Sequence, residues 1–237
     1  MPLTKHANVK NALIAGLPRD DRIAFLKHCE PVTLVFGDIL CEADQPMTHA
    51  YFPMKGFISR TSILDEHQPL EIGLIGNEGM LGATLALGVN EAPMRAVVQG
   101  AGTALRMTAS ALRRELRGRT GIPSIIHRYL YLLIAQLARS SACTRFHEIE
   151  PRLARWLLMT HDRAHADHFR LTHEFLADML GVRRSGVSIA AAKLQRKRLI
   201  RYSRGEINVL DRKGLEAASC TCYAALDIHA KAFHSIR

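Results

Sequence analysis

Leu171-Thr172-His173-Glu174-Phe175-Leu176-Ala177-Asp178-Met179-Leu180-Gly181-Val182-Arg183-Arg184-Ser185-Gly186-Val187-Ser188-Ile189-Ala190-Ala191-Ala192-Lys193-Leu194 reads as two short helices joined by a tight turn. The Thr172 hydroxyl can accept a bond from a free N–H at the start of the first helix. Glu174 puts a negative charge in that helix's first turn, where the helix dipole favours it. Leu176, Met179 and Leu180 share one face, and Ala177 is small where two helices must cross closely. Gly181 supplies the left-handed residue that ends the first helix. Val182 and Val187 close a small core, and the second helix runs on through Ala190, Ala191 and Leu194.

The spacing of Ala177, Gly181 and Val187 is similar to a prokaryotic helix-turn-helix. In such a motif the first turns of the second helix enter the major groove of DNA. Arg184, Ser185 and Ser188 are the expected base-facing residues, and Arg183 faces a base or a phosphate. Thr172, Lys193, Arg196 and Arg204 are candidates for phosphate contacts, which position without specifying, and Arg201 is a weaker one. Next come two alternating runs, Ile200-Arg201-Tyr202-Ser203 and Glu206-Ile207-Asn208-Val209-Leu210, around Arg204-Gly205. An X-Gly pair between such runs marks a tight hairpin, so the motif carries a wing.

Charge agrees with that reading. The 237-residue chain has 32 Lys+Arg against 22 Asp+Glu, a formal +10. Residues 1–148 hold 16 and 13 of these (+3), and residues 149–237 hold 16 and 9 (+7), so the surplus lies around the motif. A basic region of this kind suits a polyanionic partner.

Upstream the texture changes. Residues 8–28 read as short amphipathic helices broken at Gly16-Leu17-Pro18. Residues 31–107 hold nine of the 16 glycines, between Gly37 and Gly102, which punctuate runs such as Val32–Phe36, Ala50–Phe52, Gly56–Ser59 and Ala96–Val98. Short strands with frequent turns predict a sandwich, jelly roll or small barrel. From residue 109 the period becomes helical. Ile126, Leu130, Leu133 and Leu137 recur at spacings of 4, 3 and 4, either as a dimer seam or as a helix packed on its own domain.

Four segments, in this order, carry a resemblance over nearly the whole chain. They are Tyr51-Phe52-Pro53 with Gly56, Glu71-Ile72-Gly73-Leu74-Ile75-Gly76-Asn77-Glu78-Gly79-Met80, Leu153-Ala154-Arg155-Trp156-Leu157-Leu158, and the two-helix stretch with its wing. The chain resembles the Crp/Fnr transcription regulators. The resemblance implies an α+β chain. A cyclic-nucleotide-binding-like jelly-roll domain would occupy residues 1–120, a long central dimerisation helix 121–148, and a winged helix-turn-helix 149–237. It also implies a homodimer, a two-fold symmetric double-stranded DNA site with half-sites about 34 Å apart, and RNA polymerase as a partner.

In the cyclic-nucleotide-binding members a glycine-flanked Glu takes the ribose hydroxyl and an Arg takes the phosphate, followed by a small hydroxyl residue. The matching positions here are Gly76, Glu78, Gly79 and Arg95. Arg95 is followed by Ala96 and Val97, and Ala83–Asn90 separates Glu78 from Arg95 more widely, so cyclic AMP is not expected. The alternative is a cyclic-nucleotide signalling module that uses Glu78 and Arg95. Cys29 and Cys41 are too few for the four thiolates of an iron–sulfur cluster. Cys220-Thr221-Cys222 offers two thiolates, fewer than tetrahedral zinc takes, and is read as inert or redox-active. His161, His165 and His168 with Asp162 and Asp167 could form a metal cluster, but residues 164–168 read as a solvated linker before the motif and the histidines as surface residues, so no metal is expected.

No Gly-x-Ser-x-Gly, Gly-rich phosphate loop with Lys, or His-Glu-x-x-His is present, and an enzyme is not expected. The odd cysteine count, the lack of an apolar leader after Met1 and the lack of a membrane-length apolar run predict a cytoplasmic protein with no membrane contact.

Overall fold

The computed structural model describes residues 9–63, 68–118 and 121–225. Contacts divide these into two compact units. One is built on the residues up to Arg60 and from Ile75 to Ile134, the other on Thr61–Leu74 and the residues from Ala135 on. The expected boundary at residue 120 lies outside the described residues.

The chain begins with α1 (Ala12–Ala15) and α2 (Arg19–Leu26). Asn11 organises this start. Its Oδ1 accepts from the Ile14 N–H at 3.3 Å, while its fully buried amide donates to the Pro53 carbonyl at 3.1 Å and the Gly79 carbonyl at 2.8 Å. Strands β1 (Glu30–Leu34), β2 (Ile39–Cys41), β3 (His49–Ser62), β4 (Leu70–Ile75) and β5 (Arg95–Thr108) form one sheet in the order β1-β5-β3-β4, with β2 also on β5. β1 pairs antiparallel with β5 from Glu30 opposite Arg106 to Leu34 opposite Gly102.

The runs read separately as Ala50–Phe52 and Gly56–Ser59 are one 14-residue strand. Gly56 does not end it. With φ +75° it bends the strand so closely onto β5 that a Cβ there would meet the Ala101 oxygen at 2.7 Å. A glycine inside a strand marks such a close approach as often as a turn. Phe25 and Phe52 meet edge to face with ring centroids 5.3 Å apart, in a core with Ile58, Ile75, Met80 and Leu112. Leu112 comes from α3 (Ala109–Gly118).

α4 (Gly121–Phe146) spans 26 residues. Ile126 is 3% exposed in the core of the first unit, and Leu130 and Leu133 pack against that core. Leu137 is half-buried. Of the two readings of the apolar stripe, the one in which the helix packs on its own domain therefore describes its first three members. The exposed face of α4 runs through Tyr131 (62%), Ile134 (64%) and Ala138.

The second unit holds α5 (Ile149–Ala164), β6 (His168–Arg170), α6 (His173–Leu180), α7 (Arg184–Arg196), β7 (Ile200–Ser203), β8 (Glu206–Val209) and α8 (Arg212–Ala218). Its sheet has the order β6-β8-β7. Leu153, Trp156, Leu157, Leu176, Val187, Leu194, Ile207 and Leu215 form its core. The Trp156 indole donates to the Glu71 carboxylate at 2.8 Å. One expectation is corrected here. The stretch up to His168 was read as a solvated linker, but His168 starts a strand paired with β8, because Phe169 needs burial and is 8% exposed. Among the described residues no helix is long and apolar enough to cross a membrane.

Candidate nucleic-acid interface

α6 starts and stops where its sequence directs. Thr172 Oγ1 accepts from the Phe175 N–H at 3.1 Å, and Gly181 caps the other end at φ +62°. A Cβ at Gly181 would meet Leu70 Cδ1 at 2.8 Å. Arg183 is the extended residue before α7, and Gly186 lets the first turn of α7 pass Ile149, whose Cδ1 lies 2.6 Å from the Cβ position. The two glycines thus let the turn between α6 and α7 lie close to Leu70 of β4 and Ile149 of α5.

Arg183, Arg184 and Ser185 stand exposed at the N-terminal turn of α7. Ser188 does not join them. Its hydroxyl donates to the Arg184 carbonyl at 3.1 Å and meets His173 Nδ1 at 2.9 Å. A hydroxyl has one proton to donate, so this bond pattern puts the shared proton on Nδ1 of His173. The His173 ring stacks on Tyr202 with centroids 4.2 Å apart and planes at 15°. The Tyr202 N–H donates to Gln195 Oε1 at 2.7 Å. First helix, second helix and wing are therefore tied through one histidine. Burial, and then the charge of Arg184, holds the His173 pKa below its ordinary value.

Ile189 escaped the sequence reading. It is 60% exposed, four residues after Ser185 on the open face of α7. The signal was the i, i+4 spacing from Ser185, which places both on one face.

Among the phosphate candidates, Thr172, Arg196 and Arg204 are exposed, as is Arg201. Arg204 (φ +51°) and Gly205 (φ +81°) both adopt positive φ, as a two-residue hairpin turn of the primed kind requires. The Leu171 N–H donates to the Gly205 carbonyl at 2.7 Å, which pins the wing tip beside Thr172. Lys193 is turned away. Its ammonium lies 3.6 Å from Glu150 of α5, and Lys197 shares that carboxylate at 2.6 Å. The Lys197 bond is the main cause of the depressed Glu150 pKa. The attraction of an 85% buried carboxylate side chain draws Lys193 toward α5.

Gly76, Glu78, Gly79 and Arg95 each meet a neighbour within the first unit. Glu78 accepts from the Gly76 N–H at 3.1 Å, within its own turn. Arg95 Nε bonds Glu42 at 2.7 Å. Gly79 faces Tyr129 of α4, whose ring carbon Cζ lies 2.6 Å from where a Cβ would be, and the Tyr129 hydroxyl donates to the Met80 carbonyl at 3.2 Å. A cavity of about 40 Å³ lies nearby, lined by Met47, Arg60, Met80, Thr84, Met94 and Leu133 among others.

The histidine group of the second unit is organised around a cation that the chain supplies. Arg212 reaches Asp162 at 2.7 Å, His161 Nδ1 at 2.6 Å and the Tyr223 hydroxyl at 2.8 Å, and His161 Nε2 meets Asp167 at 2.7 Å. The Tyr223 hydroxyl donates to Asp162 at 2.9 Å, and burial beside that carboxylate pushes the phenol pKa up to about 12. His165 is exposed and left-handed at the end of α5, and His168 pairs with Glu206 at 3.4 Å.

Residues 151–218 match the Crp-like helix-turn-helix domain family. No curated protein matches the chain in sequence. Solved structures match over most of their length. A transcriptional regulator of the Crp/Fnr family from Eubacterium rectale is 15% identical at a TM-score of 0.69, with 89% of this chain and 99% of that one covered. FixK2 from Bradyrhizobium japonicum is 14% identical at 0.68 (81% and 98%). The c-di-GMP-responsive global regulator CLP of Xanthomonas campestris is 16% identical at 0.66 (81% and 99%). At these identities the likeness establishes the fold.

Proposed function

We propose, from the premise that this chain is a DNA-binding transcription regulator of the Crp/Fnr type, that it acts as a homodimer on a two-fold symmetric operator and does so without cyclic AMP. The observation that carries the reading is the exposed Arg183-Arg184-Ser185 turn at the start of α7. Arg184 takes a guanine edge at two points, and Ser185 serves a base or a phosphate. Ile189 adds an apolar contact suited to a thymine methyl. Thr172, Arg196 and Arg204 hold phosphates around this reading edge. Ser188 and Lys193 leave the contact set, the first to fix His173 and the second to satisfy Glu150.

Independence from cyclic AMP is supported by volume and by pairing. A ligand pocket of drug size encloses about 300–1,000 Å³, and the cavity beside Met80 and Leu133 encloses about 40 Å³. The Arg95 guanidinium that would take a phosphate bonds Glu42. Dimerisation is supported by the exposed apolar face of α4. The seam is placed on Tyr131, Ile134 and Ala138, spaced 3 and 4 apart, in place of Ile126, Leu130, Leu133 and Leu137.

Selection of random duplex DNA on the purified protein, at two salt concentrations, with and without cyclic AMP, tests the whole reading. A palindromic consensus in both conditions is expected. A consensus recovered only with the nucleotide overturns the independence. Binding that recovers no consensus and fades with salt overturns the sequence-specific reader. Ile134→Asp is expected to give monomers in sedimentation and to lose operator affinity, whereas unchanged dimers would overturn the seam.

A further inference from the structure

Three thiols and one imidazole from distant parts of the chain meet in the second unit. Cys143 lies in the last turn of α4, and His147 follows one turn later, on the same side. Cys220 and Cys222 lie in the segment after α8. Among the described residues these four form the one group of three or more His, Cys, Asp or Glu placed to share an ion, with all four ligand atoms within 4.8 Å of one another.

The separations fit a single metal ion. Cys143 Sγ lies 3.6 Å from Cys220 Sγ, and Cys222 Sγ lies 3.6 Å from His147 Nδ1. Bonded sulfurs would be about 2.05 Å apart, so these cysteines are not joined as a disulfide. A tetrahedral zinc with bonds of about 2.3 Å to sulfur and about 2.0–2.1 Å to nitrogen holds neighbouring ligand atoms about 3.5–3.8 Å apart. Both separations fall on such an edge. The ligands of an iron–sulfur cluster stand around several metal atoms and need a wider spread than 4.8 Å.

Burial and charge make a second, independent case. Cys143, Cys220 and Cys222 are 0%, 5% and 3% exposed, and they form a cluster of their own, apart from the leucine core. Arg155 is 9% exposed, and its Nε and Nη1 have no hydrogen-bond partner among the described residues. Its positive charge acts on all three thiols, lowering each pKa, although other influences leave Cys220 and Cys222 raised overall. A buried cation without a counter-charge is costly. Three thiolates, a neutral imidazole and Zn²⁺ carry one net negative charge, which supplies it.

We propose that Cys143, His147, Cys220 and Cys222 form a structural zinc site that fastens the end of α4 to the segment after α8. All four positions are filled by protein atoms, as in structural sites and unlike catalytic ones, which keep one open. Sulfur and imidazole ligands in a tetrahedral set select zinc over the oxygen-seeking cations. On binding, Zn²⁺ displaces three thiol protons to solvent and takes the lone pair of His147 Nδ1, so no oxidant or reductant is needed. His147 is only half-buried and forms the rim through which the ion arrives.

Elemental analysis of the purified full-length protein, with cobalt titration of the reduced, metal-free form, tests the site. The expected result is about one zinc per chain and the visible spectrum of tetrahedral thiolate-bound cobalt at the same stoichiometry, with a rise in melting temperature. The Cys220→Ala/Cys222→Ala double variant is expected to lose the metal, and Cys29→Ala, at a buried thiol of the first unit, to keep it. Arg155→Met is expected to weaken cobalt binding by about 10–100-fold. A reduced, folded wild-type protein that holds no zinc and develops no tetrahedral cobalt spectrum overturns the site, as does full zinc content in the double variant. If the double variant does not fold, the cobalt titration of the wild type is decisive.

Discussion

The open edge of α7 with the wing and the strands of the first unit handle polar side chains in opposite ways. On the open edge of α7 and the wing, Arg183, Arg184, Arg196 and Arg204 stand in water on backbone that is itself tightly fixed. In the first unit several polar groups are turned on one another. Arg95 bonds Glu42, Arg106 bonds Glu30, and buried Asn11 bonds two carbonyls. A surface that recognises a polyanion needs cations ready and a rigid frame behind them. A receptor for a small molecule needs volume and unsatisfied partners. The exposed arginines of α7 and the wing suit the first requirement, and the cavity beside Met80 and Leu133 encloses about 40 Å³.

The largest test of this contrast is Gly79→Leu. A side chain there must displace Tyr129, so the variant should destabilise the first unit by about 3 kcal/mol. Hydrogen exchange should show lost protection in β3, β5 and the first half of α4, with α5 to α8 unchanged. An intact fold with only a lost ligand response would break the comparison and restore Gly79 to a binding role. Next in size, Arg184→Ala should cost about 1–3 kcal/mol of operator binding and relax specificity at one base. Its melting curve should stay put. A uniform loss across all DNA sequences would make Arg184 a phosphate contact.

Thr172→Ala should lower the stability of the second unit by about 1 kcal/mol through the lost cap, read by urea unfolding. No change would mean that the wing tip, held through Leu171, is enough to start α6.

The smallest effect is one of pH. His173 is held below its ordinary pKa of 6.5 by burial and Arg184, so the unfolded chain binds its proton more readily. Its contribution to stability is then complete above pH 6.5 and falls as pH drops toward the folded pKa. Melting from about pH 7.5 to about pH 5.5 should decline less steeply in His173→Gln than in the wild type. Equal slopes would remove His173 as the link between helix and wing.

What the sequence disclosed follows the range of the forces involved. The cap at Thr172, the left-handed Gly181 and the Arg204-Gly205 turn each depend on a few neighbouring residues, so the reader was legible in one stretch. The wider Crp/Fnr architecture was legible as a resemblance through the order of four segments. Long-range packing was not. The stripe from Ile126 to Leu133 has the period of a seam, but period alone does not say which partner it meets, and its own unit supplied one. Gly56 read as a turn because the strand it approaches is over 40 residues away. Cys143 with His147 and Cys220 with Cys222 each offer half a ligand set, and the two cysteines that meet are 77 residues apart. Nothing local joins them.

The contact of Gly79 with Tyr129 also bears on how sequence signatures age. A glycine in such a turn is free to vary when only a ligand requires it. Here the aromatic ring of α4 enforces the same glycine by itself. A Gly-x-Glu-Gly turn can therefore record how closely a helix is seated, with no ligand needed to explain the glycine.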